Sequence, residues 1–167
     1  MSKIIEAKRH LSIQEVRLRD CQIELSDKIR PENAKDRVKS TLGFQGVRGF
    51  MLTTAKMDED IDVWIYTFRY SVGLKCTDME SSKLVDVGSE DAIDEALIEI
   101  QANFEAEYVS KEKLEQDSVQ KFCEANVGYH VWPYWREFVQ STLGRMNMPS
   151  RLVTVPFYFV PKTASTD

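Results

Sequence analysis

Two long stretches of the chain alternate apolar with polar residues at every second position, the pattern of a β-strand buried on one face. The first stretch runs from Val63 to Cys76 and the second from Ala96 to Tyr108. The apolar positions are Trp64, Tyr66, Phe68, Tyr70, Val72, Leu74, Cys76, Ala96, Ile98, Ile100, Ala102, Phe104, Ala106 and Tyr108. One wet face and one buried face predict an antiparallel sheet, so another layer must cover its apolar side.

The segment from Leu11 to Leu25 predicts a third strand with two irregularities. Its apolar positions change parity twice, once between Ile13 and Val16 and again between Leu18 and Cys21. Strict alternation does not shift in this way, whereas a β-bulge inserts one residue and moves the following side chains to the other face. We therefore expect a bulged strand whose last part turns three polar side chains away from the core, namely Asp20, Gln22 and Glu24.

The segments between these strands are less regular. A fourth strand is predicted over Leu42–Ala55, where glycines at three positions are typical of bulges or of close backbone approach. The polar segment Ser26–Ser40 is predicted to be a loop, Met57–Asp62 an acidic turn and Thr77–Asp91 a polar connection.

Beyond residue 110 the apolar spacing changes from two to three and four, which predicts helices. Lys111–Asn126 is expected to be helical and to break near Gly128, and Val131–Met146 is expected to form the main helix. Pro133 lies near the predicted start of this helix, where a missing N–H does little harm.

The main helix carries more apolar surface than one sheet contact requires. Its apolar side chains cover an arc of roughly 180°, wider than the ~100° stripe of an ordinary surface helix. Asn147 and Pro149 end the helix, and an apolar segment with two prolines follows over Leu152–Val160 as an edge strand or an extended arm. The surplus face packs either against a second copy of the chain, which we favour, or against Leu152–Phe159 of the same chain.

Composition limits the partners that the chain can have. The formal net charge of −5 disfavours nucleic-acid phosphates and anionic membrane surfaces. No apolar run is long enough to span a bilayer, and the N-terminus has no apolar signal-peptide core. Cys21, Cys76 and Cys123 are odd in number and far apart, so we expect free, reduced and buried thiols. These features predict a cytoplasmic protein.

No set of residues predicts catalysis, a cofactor or a metal ion. His10 and His130 are the two histidines, and neither has a cysteine or histidine at ligand spacing. His130 is predicted to be structural, at a helix start. Glu105 and Glu107 lie on the polar side of an alternating strand and are expected to be exposed to water. The chain is therefore predicted not to be an enzyme.

The main helix also carries a more specific signature. Trp132-Pro133-Tyr134-Trp135-Arg136-Glu137 is followed by Gly144-Arg145 and then by Pro149. This order resembles the SecB chaperone family, whose main helix has an aromatic-Pro-Tyr-x-Arg-Glu signature, then Gly-Arg and a proline soon after. The resemblance covers roughly residues 13–155. It implies one SecB-like domain over residues 1–167, and the polar end at 161–167 is expected to be a disordered tail.

The resemblance implies an α+β fold in which a four-stranded antiparallel sheet packs on a long helix, with four subunits arranged as a dimer of dimers. It also implies ATP-independent holdase activity, in which apolar grooves bind non-native polypeptide. The candidate groove residues are Phe44, Phe50, Met51, Leu52, Tyr134, Trp135, Phe138, Phe157 and Phe159. For any single one of them, packing in the core is the alternative.

The C-terminus departs from the export chaperones of this family, which have a second helix there. The proline-broken aromatic arm over Val153–Pro161 is more similar to the SecB-like chaperones that protect an aggregation-prone antitoxin, so an antitoxin is the expected client. Asp20 and Glu24 match acidic positions by which export chaperones dock on the SecA motor. A general export chaperone is therefore the second hypothesis, and a structural or ligand-binding domain without a chaperone role is the third.

Overall fold

The computed structural model describes residues 10–39, 49–78, 96–149 and 152–158. The strands in these ranges are β1 (Ser12–Leu25), β2 (Val38–Lys39), β3 (Gly49–Asp58), β4 (Val63–Asp78) and β5 (Ala96–Ser110). The α-helices are α1 (Ala34–Arg37), α2 (Gln116–Phe122) and α3 (Gly128–Arg145), and a π-helical turn at Cys123–Val127 joins α2 to α3.

The described strands form one antiparallel sheet with four strand positions. The order is β1-β5-β4, and β2 and β3 share the position on the far side of β4. β3 pairs with β4 from Val63 to Ser71, whereas β2 pairs with Thr77 and Asp78 at the end of β4. β5 lies antiparallel between β1 and β4 along most of its length. The predicted α+β fold with a four-stranded antiparallel sheet is confirmed.

β1 contains the two bulges that its sequence predicts. Its register against β5 shifts between Ile13 and Glu15 and again between Leu18 and Asp20. Each bulge inserts one residue into β1. The apolar side chains that follow the bulge therefore point again to the side of the sheet that the helices cover. Ile13, Leu18 and Ile23 therefore pair with inward residues of β5, while the polar partners face outward.

The helical layer is continuous from α2 into α3. The predicted break near Gly128 is wrong, because Gly128 has helical φ and ψ of −59° and −38° and directly follows the π-helical turn. The wider turn adds a residue, which re-aims the apolar face of the helix without ending it. Pro133 therefore lies inside the helix rather than near its start.

α3 ends at Arg145, and Asn147 lies just beyond its end, where the sequence predicts a helix stop. Asn147 has a φ of 56°, a left-handed conformation that asparagine tolerates better than most residues. The N–H of Met148 donates to the carbonyl of Leu143, and the N–H of Asn147 donates to that of Gly144, both at 3.0 Å. These two bonds form a Schellman motif that satisfies carbonyls of the last turn. Within the described ranges, no helix combines the length and apolarity of a membrane span.

The core lies between the inward faces of β4 and β5 and the helices that cover them. Phe68, Phe104 and Tyr108 are 0–3% exposed. The ring of Phe122 packs edge-on to Tyr108 at 5.1 Å between centroids, and Phe104 packs edge-on to Phe138 at 6.3 Å. Such aromatic pairs contribute about 0.5–1.5 kcal/mol beyond their buried area. The period-two pattern of these strands thus predicted their buried faces correctly.

Some of the predicted segments need correction. Ser26–Ser40 is more than a loop, since it contains α1 and β2. The strand predicted over Leu42–Ala55 is described from Gly49 and extends to Asp58, which shortens the acidic turn. Three predicted segments lie outside the described residues. They are the remainder of that strand, the polar connection after β4 and the disordered end predicted at 161–167.

The cysteines are free, but only two of them are buried. Burial raises the pKa of the Cys76 thiol to about 11 and, with a contribution from Glu124, that of Cys123 to about 12. Cys21 is exposed, so its predicted burial is wrong. The reason is that Cys21 lies on the edge strand β1, whose residues are almost all exposed.

Candidate functional site

α3 holds the C-terminal tail, defined as residues 152–158, through three side chains spaced one helical turn apart. Each side chain donates a hydrogen bond to a backbone carbonyl of the tail. The pairs are Trp132 Nε1 with Pro156 O at 2.7 Å, Arg136 Nε with Val155 O at 3.1 Å and Gln140 Nε2 with Val153 O at 2.8 Å. The tail therefore runs antiparallel to α3 and is held by its backbone.

The end of the tail places one aromatic ring over the start of α3. Tyr158 packs edge-on to Trp132 and Tyr129, at 5.5 and 6.1 Å between ring centroids. A Cβ on Gly128 would lie no more than 3.0 Å from three atoms of the Tyr158 side chain. Glycine at this position leaves the space that the ring occupies.

An open groove lies beside the tail. It has a volume of about 570 Å³ and is lined by Arg136, Glu137, Gln140, Thr154 and Val155. The guanidinium of Arg136 lies 4.4 Å from the ring centroid of Phe157, which is 80% exposed. Arg136 therefore both lines the groove and contacts an exposed aromatic ring.

The signature residues of α3 divide between the core and this surface. Trp132 and Trp135 are buried, and Arg136 is half-buried against the tail. The remaining signature positions are exposed, namely Pro133, Tyr134, Glu137, Gly144 and Arg145. The tail thus covers part of the surplus helix face within one chain, as the second of the two alternatives predicts, while Tyr134 of this face stays exposed.

The structure does not bring all the candidate groove residues together. Trp135 is fully buried and stacks on half-buried Phe138 at 6.1 Å between centroids, so both belong to the core or its margin. Met51 pairs with Arg69 and Leu52 with Phe68, which places Met51 and Leu52 on opposite faces of the sheet. Tyr134 and Phe157 are exposed on the helical side. Phe44 and Phe159, together with the side chain of Phe50, lie outside the described residues.

Sequence reasoning missed three residues of this site, namely Gly128, Gln140 and Tyr158. A signal for Gln140 was present, because Trp132, Arg136 and Gln140 are each four residues apart and each carries an N–H donor. Such a row can bind a chain that runs along the helix. For Gly128 and Tyr158, only the folded structure reveals the contact.

A partly buried polar pair lies at the start of α3. The Tyr108 hydroxyl and His130 Nδ1 are 2.8 Å apart. Burial lowers the pKa of His130, and burial, followed by the nearby Cys123, raises that of Tyr108. The prediction that His130 is structural is consistent with this contact.

The outward face of the sheet holds a buried carboxylate that the sequence predicted to be exposed. The Glu105 side chain is only 7% exposed and lies 3.2–3.4 Å from guanidinium nitrogens of Arg17, Arg19 and Arg69. Burial tends to raise the pKa of Glu105, but the hydrogen bond from Arg17 and the neighbouring guanidinium charges together lower it. Cross-strand guanidinium groups thus fold over the carboxylate, which alternation alone does not predict.

Asp20 and Glu24 lie on the same outward face, toward the other end of β1. Asp20 accepts a hydrogen bond from Asn103 Nδ2 at 2.6 Å, and Glu24 accepts one from Gln22 Nε2 at 2.7 Å. Their predicted orientation away from the core is confirmed by the register with β5. Within the described ranges, no three His, Cys, Asp or Glu side chains are grouped closely enough to hold a metal ion.

The free edge of β1 exposes an apolar row. Ile13, Leu18, Ile23 and Leu25 are each 39–43% exposed, although they point to the same side as the buried residues of β5. Backbone groups on this edge have no neighbouring strand in the described chain. A long, apolar edge strand of this kind is a ready surface for pairing with another strand.

No family model matches the chain, and no curated protein matches it. Among solved structures, it is similar to a SecB-like chaperone of Mycobacterium tuberculosis in complex with a ChAD peptide from the HigA1 antitoxin. The similarity has a TM-score of 0.59 and covers 93% of this chain and 96% of that chain, at 14% sequence identity. The chain therefore has the SecB-like fold, as the α3 signature predicts.

Proposed function

We propose that the chain is an ATP-independent holdase that binds non-native polypeptide and that an aggregation-prone antitoxin is its client. The observation that supports this most is the shared fold over nearly the whole length of a chaperone that was solved with an antitoxin peptide. The exposed aromatic residues on the helical side, Tyr129, Tyr134 and Phe157, suit this role because they offer apolar surface to a partner.

The binding energy for a client would come from burying its apolar segments. Each segment gains about 25 cal/mol per Å² of apolar surface removed from water, less the cost of ordering it. Weak contacts at several sites of one assembly add up through effective concentration. The net charge of −5 keeps a loaded complex soluble and favours basic clients.

We propose that the chain works as a homotetramer in the cytoplasm, and that β1 edges of two copies pair within it. The exposed row of Ile13, Leu18, Ile23 and Leu25 supports this assembly, because pairing would cover both the row and the open backbone edge. The helix face does not supply this argument, since the tail already covers much of it.

A second candidate function is that of a general export chaperone that docks on SecA. Asp20 and Glu24 support it, because both carboxylates lie on the outward face where a partner can approach. Their hydrogen bonds to Asn103 and Gln22 compete with such a partner, so we favour the antitoxin client.

The test is whether the full chain keeps a non-native protein in solution. A chemically denatured reporter protein is diluted into buffer with and without the chain, and its light scattering is followed in the absence of ATP. We expect the chain to suppress scattering at stoichiometric amounts. Unchanged scattering, together with no antitoxin or other polypeptide found by mass spectrometry after purification from the native host, would falsify the holdase proposal.

A further inference from the structure

We propose that α3 carries a seat for an extended polypeptide segment with one aromatic residue, and that the chain's own tail fills this seat as a tethered competitor of the client. The seat consists of Gly128, Trp132, Arg136 and Gln140. This inference rests on the proposed function, because it names where a client segment binds and what it must displace.

The hydrogen bonds of the seat do not depend on the sequence of the bound segment. Trp132, Arg136 and Gln140 donate to backbone carbonyls, which every residue possesses. From Trp132 to Gln140 the helix rises ~12 Å, and the three residues from Val153 to Pro156 span ~10 Å when extended. The row of donors therefore matches the length of an extended chain of any sequence.

The selectivity of the seat comes from its aromatic end. The Tyr158 ring occupies the space over Gly128, between Tyr129 and Trp132. A flat ring fills this space, and no Cβ at position 128 stands in its way. An extended segment with an aromatic residue two positions beyond its last bonded carbonyl would fit as the tail does.

The tail is anchored in the core through Leu152, Val153 and Val155, but it is not buried along its whole length. Val153 and Val155 are buried against the chain, but Thr154 and Phe157 are exposed and the 570 Å³ groove lies open beside them. A tethered segment competes at an effective concentration of the order of millimolar. Single weak segments are thus excluded, while a client that binds several sites at once can replace the tail.

The experiment measures binding of a fluorescein-labelled peptide with the sequence of residues 152–158 to the full chain by fluorescence anisotropy. In Tyr158→Ala the internal tail loses its ring, whereas the added peptide keeps it. We expect this variant to bind the peptide roughly tenfold more tightly than the unmodified chain, a gain typical of one aromatic contact. Ile61→Ala is the matched control, because it removes an exposed apolar side chain in the turn between β3 and β4, outside the seat, and should leave binding unchanged.

Gly128→Ala places a Cβ in the space over position 128 that the aromatic ring fills. Combined with Tyr158→Ala, it should abolish the tenfold gain in peptide affinity. Alanine is a better helix former than glycine, so the helix itself is retained, which circular dichroism verifies. If Tyr158→Ala and the unmodified chain bind the peptide with equal affinity, the proposal of the seat is wrong. It is also wrong if Tyr158→Ala gains the same affinity with and without Gly128→Ala. If the peptide behaves as expected but no denatured reporter is protected, the seat stands and the holdase proposal falls.

Discussion

β1 and β5 are neighbouring strands that both alternate apolar with polar residues, β1 with two bulges, yet they differ strongly in burial. Ile23 of β1 pairs directly with Ile100 of β5, and the two side chains point to the same side of the sheet. Ile100 is fully buried under the helices, whereas Ile23 is 39% exposed. An identical residue in the same cross-strand pair therefore has two environments.

The difference shows that an alternating pattern predicts which face of a strand is to be buried. It does not show whether the same chain or another copy buries that face. β5 lies between two strands and under the helical layer, so its requirement is met within the chain. β1 lies at the edge of the sheet, and its apolar row remains exposed. The unmet requirement of β1 is the structural argument for assembly.

The largest effect is expected at the buried member of the pair. Ile100→Ala should lower the free energy of unfolding by about 2–5 kcal/mol, because it removes fully buried methylene groups and leaves a cavity. Ile23→Ala should cost about 1 kcal/mol in the dissociated chain, where the side chain is partly solvated. Urea unfolding at low protein concentration measures both. Equal losses at the two sites would contradict the assigned difference in burial.

The second prediction concerns assembly through β1. Ile23→Asp places a charge in the exposed apolar row and should dissociate the proposed oligomer while the chain stays folded. Gln22→Asp is the matched control, because Gln22 lies on the outward face of the same strand. Light scattering gives the mass of each variant. An unmodified chain with the mass of a single copy would remove the assembly proposal, and an Ile23→Asp oligomer would move its interface away from β1.

The fold was largely predictable from the sequence because period and parity are local properties. The alternation in Val63–Cys76 and the two parity changes in β1 predicted faces and bulges correctly. The continuity of the helix through the π-helical turn at Cys123–Val127 was not predictable, since it depends on packing against the sheet. The seat on α3 was only half predictable. The spacing of its donors is visible in the sequence, but its bond partners come from a separate segment.

The third prediction concerns the outward link between β1 and β5. Arg17 Nε and one terminal nitrogen donate to Glu105 at 3.3 and 3.2 Å. Glu105→Gln should lower the free energy of unfolding by about 1 kcal/mol, a modest loss because the arginines can be solvated instead. Glu107→Gln, a half-exposed neighbour on the same strand, is the control and should cost less.

The pH dependence of this link has a defined sign. The lowered pKa of Glu105 means that its contribution is present above the ordinary value of 4.5 and is lost as the pH falls below it. Between pH 5 and pH 3, the free energy of unfolding measured with urea should therefore fall less in Glu105→Gln than in the unmodified chain. Parallel pH profiles would show that Glu105 is not stabilised as a carboxylate in the folded chain.

The smallest effect is expected where β5 meets α3. Because burial lowers the pKa of His130, the unfolded chain binds a proton at a higher pH than the folded chain does. The free energy of unfolding should thus fall, by less than about 1 kcal/mol, as the pH decreases from 7 to 5.5. His130→Gln should flatten this slope, while His10→Gln, which changes the other histidine, serves as the control. An unchanged slope in His130→Gln would mean that burial of His130 is not the cause of this pH dependence.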